Sequence, residues 1–373
     1  MADKKELLAR FHEIAVSPRQ QMDFYLKQGK KVVLCVPGYT PDEIIHSMGM
    51  VPMGTWGADI QLKESKRYFP AFICSILQSV LELGIAGAYE GASAIVIPHL
   101  CDSLRSIGQN WKVAVPSIPF IQMNYPQNRK IEAGKVFTKA GYQRVIDDLV
   151  KAAGAEFSDE KLAVSNEIYN AHNAVMREFT ELAAQAGLTA QQRSDVFKSA
   201  YFMLKEEHTE LVKQLNECLK ADQSDTSGKI RIVVSGILAD SPALLKILDE
   251  NNMLIVADDV LHESRQYKTD VKPADTALDG LVNKFSDMDN CSLLFDRKKG
   301  HVDYVVNLVK EKQAAGLLMV MTKFCDPEEF DFVFIKRLCE EQEIPMISIE
   351  VDRQMVHYEQ AATMIETWKE MLG

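Results

Sequence analysis

Two sets of short apolar runs, four up to residue 126 and four from residue 229 onward, constrain this chain more than any other feature. The first set is "KKVVLCVPGY", "VPMGTWG", "ASAIVIPHLCDS" and "IPFIQMNYP"; the second is "KIRIVVSGI", "MLIVADDV", "GLLMVMTKF" and "IPMISIEVD". The first reads as a buried strand and each of the others as a strand. Helical stretches separate them, with start signals at Thr40–Pro41, at Pro70 before "AFICSILQSVLELGIAG", and at Ser241–Pro242. Strands alternating with helices of this length imply βαβ units and a parallel sheet. From about residue 131 the pattern becomes purely helical, and it ends in the polar stretch "KADQSDTSGK". A chain of 373 residues suits two such domains. The expected fold is α/β: two Rossmann-like parallel-sheet domains of similar design with a helical section between them. The expected boundaries are 1–160, 161–228 and 229–373. A further short strand is expected after Cys291.

The net charge of −11 gives no basic surface with which to release counterions. It therefore excludes nucleic acid and an anionic membrane as main partners. No run of about 18 apolar residues predicts a membrane span. The opening "MADKKELLARFHEIAVSPRQQ" reads as an amphipathic helix, not a signal peptide, so a cytoplasmic location is expected. Seven cysteines in such a chain are thiols, not disulfides.

Two of those thiols recur in the same setting. "IVIPHLCDS" and "MVMTKFCDP" are apolar runs, more than half the chain apart, that both end in Cys-Asp. Ligands of open parallel sheets collect beyond the carboxyl ends of the strands, where Cys101 and Cys325 fall. Cys74 lies four residues after Pro70, at a helix start that favours negative charge and faces the same edge. Cys74 and Cys101 can thus share a site that Cys325 joins from the second domain. Cys218, Cys291 and Cys339 read as structural bystanders. Cys35 is set aside because its counterpart in the second unit is Ser235. With no CxxC pair, three scattered sulfurs suit either zinc with an exogenous ligand or an iron–sulfur cluster with one open iron. Asp102 and Asp326 cap a turn or helix, or hydrogen-bond around such a site. His99, two residues before Cys101, is the only histidine near it.

The stretches "GMVPMGTWG", "AFICSILQS", "LCDSLR", "AYFMLKEEHTE", "VVSGIL", "ADDVLHESR" and "KFCDPEEF" resemble the β (smaller) subunits of 2-hydroxyacyl-CoA dehydratases. That group includes the (R)-2-hydroxyisocaproyl-CoA and 2-hydroxyglutaryl-CoA enzymes and is related to benzoyl-CoA reductase subunits. The resemblance implies a heterodimer with an α subunit, and one [4Fe–4S] cluster per subunit held by three cysteines and one non-protein ligand. Motif by motif, those cysteines correspond to Cys74, Cys101 and Cys325. It further implies removal of water from a 2-hydroxyacyl-CoA through a ketyl radical. The electron would come from an ATP-dependent iron–sulfur activator, and the substrate would sit mainly on the partner. The absence of a GxxxxGK[ST] loop agrees with ATP being used elsewhere. The alternatives are a subunit of a benzoyl-CoA reductase-type enzyme and a non-redox, zinc-stabilised α/β binding protein.

Overall fold

The computed structural model describes residues 3–222 and 224–372. Helices α1 (Lys4–Val16) and α2 (Pro18–Lys27) lead into a first βα array. It runs β1 (Val32–Cys35), α3 (Asp42–Ser47), β2 (Val51–Gly54), α4 (Ser75–Ile85), β3 (Ala94–His99), α5 (Asp102–Ala114) and β4 (Phe120–Asn124). Four helices follow: α6 (Glu132–Ala153), α7 (Asp159–Gln185), α8 (Ala190–Ser199) and α9 (Lys205–Lys220). The second array is β5 (Ile230–Gly236), α10 (Pro242–Glu250), β6 (Met253–Val260), α11 (Ala277–Asp287), α12 (Gly300–Glu311), β7 (Gly316–Thr322), α13 (Asp326–Glu341), β8 (Met346–Val351) and α14 (Glu359–Leu372).

Both sheets are parallel, and their strand orders are the same: β2-β1-β3-β4 in one and β6-β5-β7-β8 in the other. The expected duplication is therefore real at the level of topology. The inner strands β1 and β3 are buried along their whole length, and so is β6 at the edge of the second sheet. The strand order reverses between β1 and β3, and again between β5 and β7, which is where a crevice opens in sheets of this kind. At the second reversal a β-carbon on Gly236 would lie 2.4 Å from the Val320 carbonyl oxygen, so only glycine lets β5 and β7 close there. The helical section is not isolated. Leu7, Leu8 and Phe11 of α1 pack with Val196, Phe197, Val212 and Leu215 of α8 and α9.

One apolar cluster joins the halves, bringing Val33, Val96 and Ile121 together with Ile237, Leu261, Phe285 and Cys325. Arg353, just after β8, adds a polar clamp. Its guanidinium reaches Asp59 at 2.8 Å, the Trp56 carbonyl at 3.1 Å and Asp240 at 2.9 Å. Its backbone N–H donates to Ser75 Oγ at 3.1 Å, tying the second half to the first residue of α4.

Two local expectations differ from the structure. The helix after Pro70 starts only at Ser75, so Cys74 precedes its first turn. The carbonyls of Tyr68 and Ile73 accept from the side chains of Asn110 and Gln78, which turns them away from a helical ladder. The segment after Cys291 is a turn and not a strand. Arg129 donates to the Phe295 and Met288 carbonyls and removes them from any sheet.

Candidate functional site

The three sulfurs singled out at the sheet edges line one cavity. Cys74, Cys101 and Cys325 surround it together with Pro37 beyond β1, Ile237 beyond β5 and Leu293. The ends of both sheets thus face each other across it. Each of the three cysteines is the residue that caps a helix: Cys74 for α4, Cys101 for α5 and Cys325 for α13. This accounts for the repeated Cys-Asp pair. The cysteine stands at the cap and the aspartate at the first helical position, where the helix dipole favours its charge. Asp102 is almost fully solvated, 4.0 Å from Arg105.

The duplication also shows why three cysteines meet and not four. The helix before β3 is capped by Cys74, whereas the helix before β7 is capped by Lys299. Phe324 adopts a left-handed backbone conformation, with φ of 62°, just before Cys325. An aromatic residue rarely occupies that region, and such strain concentrates at working sites.

Burial raises all three thiol pKa values, that of Cys74 to about 12. Backbone N–H groups work in the opposite direction: Ile76 and Leu77 on Cys74, Ser103 and Leu104 on Cys101, and Glu328 on Cys325. The thiols also oppose one another's ionisation. A cavity built this way accepts three negative sulfurs when positive charge stands between them, because metal binding and thiol deprotonation are linked. Among the described residues, no three His, Cys, Asp or Glu side chains are grouped to hold a single metal ion. A polynuclear iron–sulfur group, whose thiolates attach to different irons, suits the donor set and its apolar walls.

The remaining cysteines lie elsewhere. Cys35 is buried with its sulfur 3.6 Å from the Val33 carbonyl and does not line the cavity. Cys339 is on the buried face of α13, and Cys218 is on α9 in the helical section. Cys291 lies close to a polar network that the sequence spacing does not announce. Arg265 contacts Asp259 at 2.9 Å, Glu328 at 3.6 Å, the Gly236 carbonyl at 3.2 Å and the Cys291 sulfur at 3.7 Å. Glu328 is the third residue of α13, so this buried arginine reaches the helix that Cys325 caps. The stretch "ADDVLHESR" contains both Asp259 and Arg265, but nothing in it says that Arg265 reaches across to Glu328 on α13.

His301 completes the network, with Nε2 2.7 Å from Asp259 and Nδ1 2.9 Å from Asp331. Burial disfavours its charged form, yet hydrogen bonds to Asp259 and Asp331 outweigh that and lift its pKa from the ordinary 6.5 to about 9. The nearby Arg265 opposes the rise. Because the folded value exceeds the unfolded one, the stabilisation is complete below pH 6.5 and is lost as pH rises through about 9. It should amount to about 3 kcal/mol. Urea unfolding across that range should show the decline in the native chain and a flatter profile in His301→Gln.

An open cleft beside the cavity shares Cys101 and Asp326 with it and is also lined by His99, Arg105, Lys299 and His301. His99 is buried; its Nδ1 lies 3.2 Å from the Gln122 amide nitrogen, and its Nε2 has no partner.

Among the described residues no helix is long and apolar enough to cross a membrane. The profile of the family described as "2-hydroxyglutaryl-CoA dehydratase, D-component" matches residues 37–372. The chain is 44% identical over the full length of both proteins to the "(R)-phenyllactyl-CoA dehydratase beta subunit" of Clostridium sporogenes. It is 38% identical to the "(R)-2-hydroxyglutaryl-CoA dehydratase, subunit beta" of Acidaminococcus fermentans, over 98% of this chain and 99% of that one. A benzoyl-CoA reductase subunit of Thauera aromatica is a more distant relative, 24% identical over 86% of this chain and 85% of its own.

Proposed function

We propose that this chain, which belongs to the 2-hydroxyglutaryl-CoA dehydratase D-component family, is the iron–sulfur β subunit of an (R)-2-hydroxyacyl-CoA dehydratase. The observation that carries the reading is the shared cavity of Cys74, Cys101 and Cys325, each thiol at the start of a helix, in a chain similar from end to end to dehydratase β subunits. Those three residues would hold a [4Fe–4S] cluster, with a non-protein ligand in place of a fourth cysteine. Such a cluster supplies a one-electron carrier of low potential.

The chain's own contribution is local. Helix-start N–H groups oppose the cost of burying negative sulfur, and Pro37, Ile237, Leu261 and Leu293 keep water from it. The Arg265 network ties α13, through Glu328, to Asp259 at the end of β6. In this reading an α subunit holds most of the 2-hydroxyacyl-CoA site, and a separate ATP-dependent activator provides the electron. Water leaves the substrate through a ketyl radical, and the electron is recovered at the end of each turnover.

The test uses the complex of this chain with its partner subunit, purified without oxygen. Iron and sulfide should accompany the chain, and with activator, ATP and trace reductant an (R)-2-hydroxyacyl-CoA should give the enoyl-CoA. Iron-free protein from such a preparation would remove the cluster. Turnover of benzoyl-CoA instead, with stoichiometric consumption of reductant, would select the reductase reading that the more distant relative offers.

A further inference from the structure

A second chamber lies away from the cysteines, where the loop after β1, the start of α3, α7, the turn between α8 and α9, and α11 meet. Its volume is about 70 Å³. At about 10–15 Å³ for each water-sized group, that holds roughly five or six non-hydrogen atoms. Tyr39, Tyr125, Tyr142, Tyr169, Tyr201 and Tyr267 supply much of the wall. Four charged side chains join them. Lys284 donates to Glu43 at 2.6 Å and neutralises it. Asp42 and Lys205 are left over: among the described residues neither belongs to an ion pair. Each keeps some accessible surface although it stands deep in the molecule, and that surface opens on the chamber.

Lys205 is the first residue of α9, where the helix dipole disfavours positive charge, so helix stability does not account for it. Its ammonium donates to the Ala200 carbonyl and stands 6.0 Å from the centre of the Tyr169 ring and 5.8 Å from that of Tyr201. An ammonium has three donors, so two remain. Burial raises the pKa of Asp42 to about 6, and Lys205 opposes the rise; burial lowers that of Lys205, and Asp42 opposes the fall. Two opposite charges thus border one small chamber without closing on each other. Tyr39, on the wall, has φ of 66° directly after Gly38 at 99°, and backbone strain of this kind collects at binding sites.

We infer that this chamber is a binding site for a small α-amino acid in its zwitterionic form, the carboxylate meeting Lys205 and the ammonium meeting Asp42. Charge selects the ligand. A simple carboxylate would answer Lys205 but bring a second negative charge beside Asp42, and a simple amine would do the reverse. A zwitterion presents both signs a few bonds apart, tyrosine ring faces suit its ammonium, and the volume limits it to about the size of glycine or alanine. The site uses none of the three cysteines, so it stands independently of the proposed cluster.

The experiment is calorimetric titration of the complex of this chain with its partner subunit at neutral pH. Glycine or L-alanine at millimolar concentration should bind saturably, while propionate, lactate and ethylamine bind at least about tenfold more weakly. Lys205→Met and Asp42→Asn, shown by circular dichroism to be folded, should each lower the amino acid's affinity at least about tenfold. Lactate or propionate binding as well as alanine overturns the inference. So does undiminished amino-acid binding in either folded variant, which would place the ligand elsewhere. Should neither variant fold, the native complex decides: absence of saturable binding leaves the chamber to water and overturns the inference.

Discussion

Serine in place of Cys325 is expected to cost the complex most of the iron and sulfide associated with this chain and to lower dehydration at least about tenfold. The same is expected of Cys74→Ser and Cys101→Ser. A hydroxyl at the same position ionises far less readily than a thiol and binds iron weakly, while the burial that already opposes charge at all three positions is unchanged. Each change also removes one of the three sulfurs that line the cavity. Cys339→Ser and Cys218→Ser, at sites away from the cavity, should leave iron near the native amount. Anaerobic iron and sulfide analysis makes the comparison, and full iron in all three cavity variants would contradict the assignment.

Removing the Arg353 side chain should have the largest effect on stability. In Arg353→Ala the carboxylate of Asp59 loses its partner, Asp240 keeps only Lys198, and the Trp56 carbonyl loses its donor. Asp240 is buried, and against that burial Arg353 and Lys198 hold its pKa well below the usual carboxylate range. Breaking a buried pair from one side costs about 3–5 kcal/mol, because the charge left behind has no compensation. Urea denaturation should show a loss of that size. The backbone N–H that holds Ser75 remains, so the start of α4 should survive where the variant stays folded. A loss below about 1 kcal/mol would mean that Asp240 is served well enough by Lys198 alone.

Much of this architecture could be read from the residues. The eight apolar runs became eight parallel strands: continuous Val, Ile and Leu leaves β1 and β3 no polar face to expose, while the edge strands β4 and β8 are only partly buried. The three cysteines could be picked out because a strand end and a helix start are both visible in a sequence, and topology carries them to one edge. The turn at residues 68–74 was hidden, since the side chains that capture its carbonyls, Gln78 and Asn110, lie beyond it in the chain. Arg265 and His301 were hidden for the same reason. Their roles come from partners brought near by folding, with Asp259 serving both.

The division of the sulfurs between the two sheets has a consequence for assembly. Cys74 and Cys101 belong to the first array and Cys325 to the second, so the proposed cluster, held by all three, would act as a staple across the molecule. It can be seated fully only after both halves have folded and closed, and its loss would free them to part. Loading would then serve as a proofreading step, with the colour of the protein reporting that the polypeptide has shut correctly.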